Sequence, residues 1–211
     1  MHFDGTFELD GTTREEVWLA LSDPILVRNA LPGCEFLIEV EDTDPDFDDL
    51  REQADAADDE EITTDPDVIA ERAFEEGGHY AALMEIGVGS VKPSFETVVT
   101  VQERDFPDTV ATGEGDASNS SFEMESSMHL VDTDEGVGVE WATEADVFGR
   151  IAQMGQRVIN PVANRVVKRF FQRVQSQIDE MGDEEAPETE GEATGDPEEG
   201  LTGRIRDRMG I

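Results

Sequence analysis

Between Arg150 and Met181 apolar residues return at helical steps: Ile151, Val158, Val162, Val166, Phe170, Val174 and Ile178. That periodicity predicts one long amphipathic helix with its apolar side chains in a single stripe. Gly155 falls on the stripe, where it would let a bulky neighbour come close. Pro161 removes one backbone donor and predicts a kink. No ordinary neighbouring helix is long enough to bury such a stripe. A curved sheet is needed for it to lie in.

The residues upstream supply that sheet. His2–Asp10 alternates Phe3, Gly5, Phe7 and Leu9 with polar neighbours and predicts a half-buried strand. Thr12 and Thr13 each have a glutamate three residues on, so either pair can form a capping box that starts a helix through Val17, Trp18 and Leu21. Ser22-Asp23-Pro24 starts a second short helix, with Pro24 in its first position, and Leu31-Pro32-Gly33 ends it. Strands are then predicted over Cys34–Glu41, His79–Val88, Val91–Gln102 and Thr109–Asp116. A further strand carries Phe122, Met124, Ser126, Met128 and Leu130. The last, with Val137, Val139, Trp141, Thr143, Ala145 and Val147 facing in, has the cleanest alternation and runs straight into the long helix. Short turns between the late strands imply antiparallel pairing. The predicted class is α+β: a bent antiparallel sheet of about seven strands around a long C-terminal helix, with two short helices after the first strand.

Charge divides the function classes. Asp plus Glu number 52 against 15 Lys plus Arg, a formal net charge of −37. Such a surface repels phosphate, which argues against a nucleic-acid partner. Together with well-patterned strands it predicts a folded protein suited to molar salt, where the Debye length is short. Against this background the far face of the predicted helix stands out, with Arg150, Arg157, Arg165, Lys168, Arg169 and Arg173. Its Arg165, Lys168, Arg169 and Arg173 are candidates for docking an acidic partner or lipid headgroups. No secretory signal and no run of about 20 apolar residues is present. With the single cysteine, Cys34, this predicts a cytoplasmic protein that meets a membrane only at its surface.

Two stretches break the pattern. Residues 42–78 are rich in Asp, Glu and Ala and read as a solvated acidic insertion, with weak helical turns around Leu50–Ala57 and Pro66–Phe74. Asp44, Asp46, Asp48 and Asp49 lack the glycine and terminal glutamate of a calcium loop, so no metal site is expected. After the domain at 1–181, residues 182–200 read as a disordered acidic linker. Residues 201–211 form a basic amphipathic segment whose Arg204, Arg206 and Arg208 are further docking candidates.

Several motifs together carry a family resemblance. They are Phe3-Asp4-Gly5, Val17-Trp18 followed by Ser22-Asp23-Pro24, and Leu31-Pro32-Gly33-Cys34-Glu35. Gly87-Val88-Gly89-Ser90-Val91-Lys92 and Gly113-Glu114-Gly115 follow, then Phe148-Gly149-Arg150-Ile151-Ala152-Gln153-Met154-Gly155 leading to Phe170-Phe171. With these motifs, residues 1–180 resemble the CoxG family of aerobic carbon monoxide dehydrogenases, within the START-like (SRPBCC) helix-grip superfamily. The resemblance implies a cavity between sheet and helix, and a role beside a molybdenum-containing dehydrogenase. That role is recruiting the enzyme to the membrane or carrying a quinone-type lipid. It implies no other cofactor.

The residues themselves speak for binding rather than catalysis. His2, His79 and His129 have no partner at a metal-ligand step, and no nucleophile elbow, P-loop or dinucleotide fingerprint is present. Gly87-x-Gly89 and Gly113-x-Gly115 read as strand turns or bulges, and Cys34 as a buried structural thiol. The predicted cavity wall is Trp18, Phe95, Phe122, Met124 and Trp141 from the body of the domain, with Met154, Val158, Val162 and Phe170 from the helix. The rival readings are an assembly factor without a ligand and a cyclase-like enzyme of the same superfamily.

Overall fold

The computed structural model describes residues 1–56, 62–63 and 65–184. The segment 201–211, with Arg204, Arg206 and Arg208, and the linker beyond residue 184 lie outside the described residues.

Strand β1 (His2–Asp10) is followed by α1 (Arg14–Ser22) and α2 (Pro24–Ala30). Of the two threonines it is Thr13 that caps α1. Its hydroxyl accepts from the Glu16 amide at 3.3 Å, and the Glu16 carboxylate accepts from the Thr13 amide at 2.8 Å. Thr12 instead donates to the Leu9 carbonyl. Asp23 caps α2 through the Ile25 amide at 2.9 Å, and Pro24 opens that helix where its missing N–H costs nothing. Next come β2 (Cys34–Val40), α3 (Phe47–Ala56), α4 (Pro66–Arg72) and β3 (His79–Glu85). These lead to β4 (Ser94–Asp105), β5 (Asp108–Ala117), β6 (Ser120–Asp132) and β7 (Gly136–Phe148). The described chain ends in α5 (Gly149–Ala152) and α6 (Gln156–Glu184).

All seven strands form one antiparallel sheet in the order β1-β7-β6-β5-β4-β3-β2. Successive strands β2 to β7 pair as a meander, and β1 adds to the far edge of β7. The register places Leu9 against Val137 and Leu130 against Val139 on the inner face. There they pack with Val17, Leu26, Phe171, Val174 and Ile178 in the main core.

The single long helix predicted over Arg150–Met181 is two helices. Gly155 has φ +73°, a left-handed conformation that stops α5 and its following turn before α6 begins. A Cβ at Gly155 would meet nothing within 4 Å, so the glycine serves the bend and not a close packing contact. Gly113 and Gly115 also differ from their reading as turn or bulge residues. They lie inside β5, directly opposite Met124 and Phe122. A Cβ on Gly113 would sit 2.8 Å from the Met124 methyl carbon, and one on Gly115 would overlap the Phe122 ring. Their bare backbone lets those two side chains lie flat across the inner face.

The acidic insertion is structured rather than merely solvated. Helix α3 covers the outer face of β2 and β3, where Leu50, Phe47 and Ala54 pack on Phe36, Ile38, Val40, Ala81 and Leu83. Arg51 of α3 bridges to Glu96 at 2.5 Å. In α4, Ile69 is fully buried, and Arg72 pairs with the fully buried Asp23 at 2.6 Å. Asp46 accepts from the amides of Asp48 and Asp49, and Asp42 from that of Asp44. These aspartates act as turn and helix-start acceptors.

Candidate ligand cavity

The two ends of the space under α6 are filled differently. Toward one end lies the main core. Toward the other, Val88, Phe95 and Ile151 pack with Met154, Val158, Val162 and Phe122. Between these two clusters a partly enclosed cavity of about 390 Å³ remains. Its floor is the inner face of the sheet: Leu37, Tyr80, Ala82, Met84, Thr97, Val99, Val101, Ala111, Met124 and Met128. Small residues on that floor, Ala82, Ala111 and Gly113, keep it open. Its roof is Val166 and Phe170 of α6, and its end wall is Trp18, Leu21 and Ser22 of α1, with Phe74 from the arm after α4. Phe74 is fixed by its own amide donating to the Ser22 carbonyl and by an edge contact with Tyr80. The acidic insertion therefore contributes a wall of the cavity. A volume of this size lies within the range of small-molecule sites, roughly 300–1,000 Å³.

Of the side chains expected to line a cavity, Trp18, Phe122, Met124 and Phe170 do so. Phe95, Met154, Val158 and Val162 belong to the apolar cluster that closes one end. Trp141 lies over Gly5 of the neighbouring strand and packs at the margin of the main core. Those five do not line the cavity. The basic residues Arg165, Lys168 and Arg169 are on the outer side of α6 and form no ion pair among the described residues. Arg173 reaches α2, donating toward the carbonyls of Asn29 and Ala30 at 3.4 to 3.5 Å.

The polar groups of the wall are few and specific. Tyr80 accepts from the Glu75 amide at 2.9 Å, and burial raises its hydroxyl above the usual range. The Thr97 hydroxyl and the Trp18 indole N–H are buried without a hydrogen-bond partner. Arg104 is the wall residue that periodicity misses. Strict alternation from Val101 would put residue 103 inside and residue 104 outside. A bulge between Val101 and Glu103 inserts one residue and reverses the faces. Arg104 pairs with Thr109, which also lines the cavity. Its Nη2 donates to Ser22 Oγ at 2.6 Å, and its guanidinium carbon stands 5.0 Å over the Trp18 ring. Burial lowers the Arg104 pKa from its ordinary value, opposed by the nearby Tyr80.

The histidines lie elsewhere. His79 Nδ1 is 2.8 Å from Thr100 Oγ1, and His129 Nδ1 is 2.6 Å from Asp108, both on the outer face. Cys34 is partly buried rather than buried, with its thiol donating to the Phe36 carbonyl at 3.2 Å. Burial pushes its pKa up to about 12, with Arg28 opposing and Glu35 adding to the rise.

Comparison with known proteins places this geometry. The family model for the CoxG component of carbon monoxide dehydrogenase matches residues 71–179, just over half of the chain. The chain belongs to the CoxG family. The match spans β3 to α6 and so includes most of the cavity floor and its roof. Among solved structures, the chain is similar to a conserved protein from Geobacillus kaustophilus, with 24% identity and a TM-score of 0.62, over 85% of this chain and 96% of that one. It is also similar to the Zhui aromatase/cyclase from Streptomyces sp. R1128, with 10% identity and a TM-score of 0.52, over 85% and 93%. The protein Ara h 8.0201 matches at 11% identity and a TM-score of 0.52, over 85% and 98%. These likenesses show the fold, a helix-grip architecture. None of the curated proteins is detectably similar to the chain. No described helix is long and apolar enough to cross a membrane.

Proposed function

We propose that this CoxG-family protein is a non-catalytic accessory of an aerobic carbon monoxide dehydrogenase, or a related molybdenum hydroxylase, that holds a quinone-type lipid under α6. In this role it couples the enzyme to the membrane from the cytoplasmic side. The cations Arg165, Lys168 and Arg169 offer the acidic partner or the lipid surface a contact. The observation that carries the reading is the apolar cavity of about 390 Å³, walled almost wholly by hydrocarbon and sulfur side chains. Tyr80 and Arg104 are the titratable groups in its wall, which suits holding a ligand better than proton transfer. A ring system fits within this volume, and a long isoprenoid tail would leave through the mouth.

The test is calorimetric titration with menadione, a quinone without its tail, together with mass spectrometry of solvent extracts of the purified protein. Wild type binds saturably, and the extract contains a prenylated quinone. Ala111→Phe fills the floor and lowers affinity by about tenfold or more, as expected when a pocket loses the volume its ligand needs. Equal binding by this variant, with its melting curve unchanged, would refute the reading.

A further inference from the structure

Arg104 is a cation that the rest of the protein leaves uncompensated. The chain carries a net charge of −37, so carboxylates are abundant, yet the Arg104 guanidinium forms no ion pair with any described one. The guanidinium presents five N–H donors. One is engaged by Ser22, and Ser22 Oγ is itself held by donating to the Trp18 carbonyl at 2.6 Å. The face of the group is set against Trp18. Trp18 is only 5% exposed, and its indole N–H has no partner. An apolar cavity thus has, at one end, a cation and a buried donor on the same aromatic ring, both lacking an acceptor. Leaving such groups unpaired away from water is costly, and an acceptor oxygen brought by a ligand would remove that cost.

We propose that Arg104, with the Trp18 indole N–H, is the head-group anchor of the cavity, taking an elongated apolar ligand that ends in an acceptor oxygen. A quinone carbonyl and a fatty carboxylate share this chemistry. The inference rests on the cavity being a ligand site, but not on the ligand being a quinone. Ser22 and the Trp18 ring act as positioning groups for the guanidinium. The Thr97 hydroxyl lies seven residues away along the same strand, roughly 20 Å at the rise of an extended chain, and stays outside the head-group end.

Calorimetric titration of the full chain with three probes tests it: menadione, dodecanoate, and methylnaphthalene, which has menadione's ring system without its oxygens. Wild type binds the oxygenated probes more tightly than the hydrocarbon. Arg104→Met keeps most of the apolar stem. It is expected to weaken the matching oxygenated probe by roughly ten- to a hundredfold, the loss of one hydrogen bond from a charged donor, and to leave methylnaphthalene unchanged. The probe that suffers the larger loss identifies the head as carbonyl or carboxylate. Arg104→Gln serves in the same way if the methionine variant melts early, and Trp18→Phe gives a smaller loss of a few-fold. Oxygenated probes that bind the Arg104 variants as well as wild type would overturn the anchor, as would a parallel loss of the hydrocarbon. If Ala111→Phe still blocks those probes, the anchor alone has failed. If no probe binds wild type, the cavity reading fails and the anchor with it.

Discussion

Ile69 offers a sharp test of whether the acidic insertion is part of the folded domain. It lies in α4, within a segment so acidic that its composition reads as solvated chain, yet its side chain is fully buried. Truncation to alanine removes three side-chain carbons from a closed site beside α1. Ile→Ala changes of this kind cost about 2–5 kcal/mol, and with α4 anchored by the Arg72–Asp23 pair little collapse is available to fill the gap. We expect a loss of about 3 kcal/mol. At about 2–4 °C per kcal/mol for a domain of this size, that is a fall in Tm of roughly 6–12 °C. Urea unfolding followed by circular dichroism measures the loss without changing ionic strength. It should be run in dilute buffer and in molar potassium chloride, because the insertion's charges repel more strongly when unscreened. Ile62→Ala is the control: that residue is 42% exposed, and its truncation should change stability by less than about 0.5 kcal/mol. If Ile69→Ala costs no more than this control in both conditions, α4 is not docked in solution. The cavity wall built from Phe74 would then have to be abandoned too.

Two further outcomes follow from local geometry. Cys34 keeps its proton to about pH 12 in the folded protein, above its ordinary value of 9.0. The raised pKa favours the neutral thiol, so its stabilisation is complete below pH 9 and is lost as pH rises from 9 toward 12. At pH 8, alkylation by iodoacetamide should run at least about tenfold slower in the native protein than in urea, and equal rates would contradict the burial. Gly149→Ala and Gly155→Ala separate two uses of a left-handed glycine. Both have positive φ, 76° and 73°, so each alanine costs roughly 1–2 kcal/mol in backbone strain. At Gly149 the new methyl also collides with the Asn119 carbonyl, whereas at Gly155 it meets open space. Gly149→Ala should therefore be the more destabilising in urea titration, and the reverse order would refute this account.

Much of the fold is legible because its signals are local. The alternation in β7, the Thr13–Glu16 capping box and the Asp23-Pro24 helix start are each set within a few residues and stand as expected. The helix stripe identifies the core-facing residues Phe170, Val174 and Ile178. It hides the break at Gly155, because the residues on each side of the break keep the same face. The insertion misleads for a different reason. Its anchors are Phe47, Leu50 and Ile69, three apolar residues spread among acids. Phe36, Ile38 and Val40, on which the first two pack, share one strand face, but nothing in a period of two says whether that face is inner or outer.

The cavity shows where reading by period runs out. Trp18, Phe122, Met124 and Phe170 are legible because large apolar side chains on an inner face must border whatever the sheet encloses. Phe95, Met154, Val158 and Val162 satisfy the same pattern but pack into the neighbouring cluster. What separates lining from filling is the volume opposite each side chain, and that volume is set by small residues on other strands, Ala82, Ala111 and Gly113. Arg104 is the clearer case. A charged residue near the end of a strand is ordinarily assigned to solvent, and strict alternation from Val101 agrees. One inserted residue at the bulge sends its side chain inward instead, onto Trp18. If the bulge is what delivers the cation, deleting Gln102 should return Arg104 to the outer face. The apolar cavity would then remain while its preference for an oxygen-bearing ligand is lost.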